Sequence, residues 1–420
     1  MKSAKTLLLL ALLLTSCLAN AAECTLVGKT IDGKAFYQPG ETAAFEISMT
    51  GLEEDGPRPA EWRWLLKRDN ETTLEGTAKF EVGKPLRLEA TLAHPGFVHV
   101  EAYPVDAQGK EWPVKPPQCH FRGGVGFRPE ACRAKEKPKD FDAYWAKQRK
   151  RLAAVPLKPV VREVESKVAA HRCYAVTVPC AGPRPVTGYL LVPEGAKPAS
   201  LPAVAVFHGY SFGRHLPPTV AEFPNAVLLN INPHGIDLDM TEKECEALKP
   251  QYASYAFSAE ENANRDTAYF NGMALRVMRA LEFLKTHPCW NGKELITLGA
   301  SQGGMQSIWA AALDPQVTKC ITSQPWCCDM GGFERGRYAA TWKVPYTHEM
   351  DYYDPAIHAR NIKAEVEVLM AGLGDNFCPP SGVAAFFNAI PGHARIRWIQ
   401  GADHVYVPKG PDTQDAVLEK

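Results

Sequence analysis

The sequence predicts an α/β chain, a doubly wound and mostly parallel sheet preceded by a small all-β sandwich. Three observations predict it. Residues 295–313 read strand, sharp turn, helix. From about residue 140 onward, short apolar runs alternate with helical patterns, as parallel βαβ units require. Residues 24–121 instead carry short alternating runs separated by Gly, Pro and Asp turns, the pattern of antiparallel strands.

In chain order, Lys2 and Lys5 precede an apolar core at residues 7–14 that is too short to span a bilayer. Residues 1–21 are expected to be a signal peptide cleaved after Ala19-Asn20-Ala21, which makes the protein secreted or periplasmic. Leu14-Thr15-Ser16-Cys17 also resembles a lipoprotein signal, so a lipid anchor at Cys17 is the alternative. No other apolar stretch reaches transmembrane length. Of twelve cysteines, eleven remain once Cys17 is removed or lipidated, and export permits disulfides. Cys24 and Cys119 bracket the N-terminal region and are expected to staple its ends. Cys327-Cys328 is vicinal and forms no ligand pair with Cys320, so buried free thiols are expected there.

Strands are expected at 44–49, 61–66, 86–92 and 96–103, which suggests an immunoglobulin-like sandwich over residues 24–122. Trp62 and Trp64 share one face of their strand, a core tryptophan with a partly exposed neighbour rather than a sugar platform. Residues 123–139, rich in Arg, Lys, Glu and Pro, read as a linker. The α/β domain, 140–415, opens with an amphipathic helix at 140–152. Strands follow at 202–207, 226–231, 295–298, 365–371 and 394–399, and a long core helix at 265–286.

The turn at 299–303 is Gly299-Ala300-Ser301-Gln302-Gly303, the G-x-S-x-G elbow in which an α/β-hydrolase holds a nucleophilic serine. A serine hydroxyl needs a histidine base and an orienting carboxylate, in the chain order Ser, Asp/Glu, His for this fold. Asp375 sits just past one strand and His404 just past the next. Only His393 and His404 follow Asp375, and His393 lies in a turn before a strand, at the wrong end of the sheet. Asp403 is the rival carboxylate, but adjacent loop residues seldom aim their side chains at each other. Donors for the oxyanion are expected from the backbone N–H of Gln302 and of Tyr210, in the loop His208-Gly209-Tyr210 after an apolar strand.

The region from about Phe127 onward, about 290 residues, resembles the acetyl xylan esterase and cephalosporin C deacetylase family of α/β-hydrolases. The resemblance rests on residues 138–145, His208-Gly209-Tyr210, Gly299-Ala300-Ser301-Gln302-Gly303-Gly304, Gly372-Leu373-Gly374-Asp375 with Pro379-Pro380-Ser381, and His404. It implies the triad Ser301, Asp375, His404, an oxyanion hole at Tyr210 and Gln302, small acyl groups on sugar hydroxyls, and a possible homo-oligomer, a hexamer. It also aligns Pro325 and Trp326 with pocket-lining positions. Two departures stand out. Asn232-Pro233-His234-Gly235 replaces an Arg-Gly-Gln-Gly stretch, and Val405 replaces a glutamate. His234 is therefore either a substrate contact or a structural stand-in for the arginine.

Basic and acidic residues balance at 47 each, with no basic stripe, so nucleic acid is not an expected partner. No phosphate-binding glycine loop or metal-spaced cluster is present in the sequence, so catalysis is expected to need no metal and no cofactor. The reading is a serine carbohydrate esterase that deacetylates sugars or xylan-derived oligosaccharides through an acyl-enzyme. The alternatives are a serine peptidase or amide hydrolase, and a glycan-binding protein with a vestigial hydrolase domain.

Overall fold

The computed structural model describes residues 24–114, 120–252, 255–409 and 414–420. The signal peptide and Cys119, the expected partner of Cys24, lie outside the described residues.

The N-terminal β region holds two sheets. One pairs β1 (Thr25–Thr30), β3 (Thr42–Thr50) and β6 (Leu86–Thr91), all antiparallel. The other runs β2 (Phe36–Tyr37), β8 (Phe121–Phe127), β7 (Gly96–Val105), β4 (Glu61–Arg68), β5 (Leu74–Lys79). Strict alternation makes these strands: in β6, Leu86, Leu88 and Ala90 are buried and the residues between them exposed. Phe45, Ile47, Trp62, Leu88, Val100 and Val125 meet in one core. Trp62 is buried against Phe80, while Trp64 is half-buried.

Strand β8 occupies residues expected to begin the linker. Gly123, Gly124 and Gly126 carry no hydrophobic period to set them apart from the polar stretch that follows, and their lack of side chains lets the strand press against its neighbours. A Cβ on Gly124 would stand 2.3 Å from the Leu373 carbonyl oxygen.

The remaining strands form one ten-stranded mixed sheet. Its parallel centre is β12 (Leu201–Phe207), β13 (Val227–Asn232), β14 (Trp290–Ala300), β15 (Lys319–Ser323), β16 (Glu365–Gly372) and β17 (Ala394–Gln400). Antiparallel strands β9 (Val160–Val164), β10 (His171–Val178) and β11 (Val186–Pro193) extend it beyond β13, and β18 (Gln414–Glu419) closes the other edge. The helices are α1 (Phe141–Ala153), α2 (Glu242–Leu248), α3 (Ala259–Asn262), α4 (Tyr269–Leu284), α5 (Gln302–Leu313), α6 (Pro355–His358) and α7 (Pro380–Ala389). Helix α4 starts four residues later than the periodicity predicts. The N–H groups of Thr267 and Ala268 close a turn on the Asn264 carbonyl, and Ala268 is extended (φ −52°, ψ 141°).

The chain runs from β12 outward to β13 and then returns to the other side of β12 with β14. That reversal opens a crevice beyond the carboxyl ends of β12 and β14, where ligands bind in open α/β sheets. The 208–210 loop and Ser301 lie at these two ends.

Candidate active site

Ser301 joins β14 to α5 with φ 55° and ψ −120°, a strained left-handed conformation for a residue with a side chain. Its flanking glycines make the turn possible. A Cβ on Gly303 would lie 2.1 Å from the Phe207 carbonyl oxygen, and one on Gly299 would lie 2.4 Å from the Gly303 backbone. The third glycine, Gly304, has the same reason: its Cβ would meet Thr322 Oγ1 at 2.3 Å. The Ser301 N–H donates to the Ser323 carbonyl at 2.9 Å, and its own carbonyl accepts from the Trp326 N–H at 3.0 Å. The elbow is thus tied to the loop after β15.

The residues expected as base and acid converge on it. Ser301 Oγ lies 3.1 Å from His404 Nε2, and His404 Nδ1 lies 2.8 Å from Asp375 Oδ2. This network has Ser301 donating to Nε2 and Nδ1–H donating to the carboxylate. Asp375 is buried, and its Oδ1 accepts from the N–H groups of Phe377 at 2.8 Å and Cys378 at 2.9 Å, which fixes the carboxylate plane. Burial opposes charging His404, but the hydrogen bond and charge of Asp375, with the charge of Asp403, outweigh it and raise the imidazole above its ordinary 6.5. Asp403, the rival carboxylate, faces away. Its Oδ1 accepts from the Val405 and Tyr406 N–H groups and its Oδ2 from Arg122.

Gln302 opens α5, where the first N–H groups have no intrahelical acceptor. Its side chain is buried and accepts from the Tyr255 hydroxyl. Gln306 Nε2 reaches the His208 carbonyl at 3.4 Å, linking α5 to the loop that carries Tyr210. The Tyr210 ring packs on Tyr255 at 4.2 Å and on Trp342 at 4.5 Å.

A cavity of about 70 Å³ is lined by Pro325, Trp326, Cys327, Cys328, Trp342, Phe377 and Cys378, among others. Pro325 and Trp326 thus line a cavity together with Phe377 and Cys378 of the Asp375 loop. Trp326 is buried and its Nε1–H donates to the Trp342 carbonyl at 3.3 Å. Phe377 packs 5.2 Å from the His404 ring. Tyr210 and Trp342 remain 36% and 39% exposed, an aromatic pair open to solvent beside the site.

Of the two readings of His234, the structure supports the structural one and not the substrate contact. It is buried, its Nε2–H donates to the Ser211 carbonyl at 2.8 Å and its Nδ1 accepts from the Tyr269 hydroxyl at 2.6 Å, so neither nitrogen is left for a ligand. Burial pushes it down to about 3. The nearby Arg276 instead places Nε and Nη2 on the Pro233 carbonyl, holding this turn from α4. Trp342, Phe377, Cys378 and Tyr255 went unnoticed in the sequence. Only Phe377 and Cys378 had a signal, their place in the Asp375 loop.

Among the described residues, one group has the closeness of metal ligands: Asp375, Cys378 and His404, whose ligand atoms lie within 4.8 Å of one another. Two of the three are hydrogen-bonded to each other, and burial pushes the Cys378 thiol up so that it keeps its proton. The arrangement is that of an acid–base pair with a neutral thiol neighbour. Cys327 and Cys328 are half-buried and similarly held as thiols by burial.

The family model of acetyl xylan esterase (AXE1) matches residues 130–346 and 343–417. An acetyl esterase of Xylanibacter ruminicola is 27% identical over 373 residues, covering 84% of this chain and 81% of its own. Two solved structures share the fold. The acetyl xylan esterase from Paenibacillus sp. R4 is 20% identical with a TM-score of 0.54, covering 67% of this chain and 94% of its own. Acetyl xylan esterase 1 from Thermoanaerobacterium sp. JW/SL YS485 is 19% identical with a TM-score of 0.50, covering 67% and 93%.

Proposed function

This chain belongs to the acetyl xylan esterase family and is a carboxylic ester hydrolase, and from that premise we propose that it removes acetyl groups from acetylated sugars or xylan-derived oligosaccharides. The observation that carries the mechanism is the unbroken chain Ser301–His404–Asp375 at a strained elbow. His404 takes the Ser301 proton as Oγ attacks the ester carbonyl. The oxyanion then rests on the Gln302 and Tyr210 N–H groups, and the collapsing intermediate expels the sugar alkoxide, which His404 protonates. Water, deprotonated by His404, hydrolyses the acetyl-enzyme. Asp375 keeps the tautomer and stabilises imidazolium.

The small cavity beside Trp326 and Phe377 supports a short acyl group, and the open Tyr210–Trp342 pair supports a sugar ring on the leaving side. We further read residues 24–122 as an immunoglobulin-like accessory unit, residues 1–21 as a signal peptide for a secreted or periplasmic enzyme, and homo-oligomers as its assembled state.

The test is a substrate series on the wild-type enzyme: acetylated xylo-oligosaccharides, p-nitrophenyl acetate and butyrate, and N-acetyl peptides. Acetate release from the sugars, a drop of about tenfold or more from acetyl to butyryl, and intact peptides are expected. Peptide cleavage without sugar deacetylation would replace this reading with a peptidase.

A further inference from the structure

We infer that Arg122, on a strand of the N-terminal β region, is a positioning residue for the catalytic histidine, so that this region is part of the active-site scaffold. The inference rests on the Ser301–His404–Asp375 reading above.

Two kinds of contact converge on the loops that carry Asp375 and His404. The first is steric. Strand β8 meets the Asp375 loop without side chains between them: a Cβ on Gly374 would stand 2.4 Å from the Arg122 backbone, and one on Gly124 would stand 2.3 Å from the Leu373 carbonyl. Gln400, at the end of β17, joins the His404 loop to the same region. Its Oε1 accepts from the Thr30 N–H at 2.9 Å and its Nε2 donates to the Gly124 carbonyl at 3.3 Å.

The second is ionic. Arg122 Nη1 donates to Asp403 Oδ2 at 3.2 Å, and Asp403 adjoins His404 in the chain. The other oxygen of Asp403 accepts from the N–H groups of Val405 and Tyr406 at 2.8 and 2.7 Å, and its carbonyl accepts from Gln324 Nε2 at 2.7 Å. Asp403 therefore folds the loop around His404, and Arg122 fixes Asp403. The guanidinium is itself anchored, because its Nε donates to Glu101 Oε1 at 2.9 Å. Glu101 also holds His120 Nδ1 at 2.6 Å and lies 3.8 Å from His99 Nε2, while His120 Nε2 reaches Glu111 at 3.2 Å. Asp403 is almost fully buried, so removing the guanidinium leaves its carboxylate without a cation, while Glu101 keeps His120.

His404 faces Asp375, Ser301 and the Cys378 thiol and feels the charge of Asp403 through space, and Arg122 acts on it through Asp403. In Arg122→Gln the unpaired Asp403 charge favours imidazolium, so the acid limb of kcat/KM moves to higher pH, by about half a unit. In Asp403→Asn it moves to lower pH. Arg122→Lys keeps the cation and keeps the limb near its wild-type position.

The experiment measures kcat, KM and the pH profile of full-length wild type, Arg122→Gln, Arg122→Lys, Asp403→Asn and Ser301→Ala on p-nitrophenyl acetate, with thermal melts of each. A fall in kcat of about tenfold in Arg122→Gln, KM within about twofold, and opposite shifts of the limb in Arg122→Gln and Asp403→Asn are expected. Unmoved limbs with kcat within twofold in the folded variants would overturn the inference. Should Arg122→Gln not fold, Asp403→Asn decides by the same criterion. Wild-type activity in Ser301→Ala would instead overturn the underlying mechanism.

Discussion

In the proposed mechanism His404 sets the pH dependence of the site. It must be neutral to take the Ser301 proton, and Asp375 and Asp403 together hold it above 6.5 against the effect of burial. Activity is therefore present above the His404 midpoint and falls as pH drops through it. A pH profile of kcat/KM on p-nitrophenyl acetate should give an acid-limb midpoint above 6.5, and a midpoint below that value would contradict the assigned base. Asp375→Asn should cost about 10³–10⁴-fold in kcat at an unchanged melting temperature range, because an amide can turn the imidazole to the wrong tautomer. Trp342→Ala should raise KM for acetylated oligosaccharides by about fivefold or more and that for p-nitrophenyl acetate by less, since in the proposed binding mode the sugar packs on the exposed part of the indole. Equal changes for both substrates would remove Trp342 from the sugar side. At this scale Ser301, Asp375 and His404 were legible because chain order and strand ends fix them. Trp342, Tyr255 and Arg122 were not, because each acts through a side-chain direction that no sequence period encodes. The two readings of His234 stayed open in the sequence for the same reason, and Tyr269 and Ser211 decide between them.

The elements hold the site through close backbone contacts that tolerate no side chain. Gly303→Ala would force a methyl group to 2.1 Å from the Phe207 carbonyl, so α5 must lift off β12. A stability loss of about 2–3 kcal/mol with loss of esterase activity is expected, read from urea unfolding and from turnover. A variant as stable and active as wild type would show that the elbow has slack. Strands β12 and β13 were legible as apolar runs buried on both faces, and β16 and β17 by buried apolar residues that alternate with exposed ones. Strands β9 and β5 are largely exposed and β18 alternates exposed with half-buried residues, so they bury too little to leave a hydrophobic period. Strand β8 was hidden by its glycines, which serve contact rather than flexibility.

At the scale of the molecule, the N-terminal β region and the ten-stranded sheet share the Arg122–Asp403 pair, the Gln400 bridges and the glycine contacts of β8. These ties favour cooperative unfolding. A calorimetric scan should show one transition, with calorimetric and van't Hoff enthalpies agreeing, whereas two resolved transitions would mean that the region folds independently. Among the described residues no helix is long and apolar enough to cross a membrane. The most direct test of the whole account is acetate release from acetylated xylo-oligosaccharides by the wild-type protein beside Ser301→Ala. Release by the wild type that falls to background in the variant is the predicted result. Release that persists in Ser301→Ala, or its absence from a folded wild type that still cleaves p-nitrophenyl acetate, would contradict the assigned nucleophile in the first case and the carbohydrate substrate in the second.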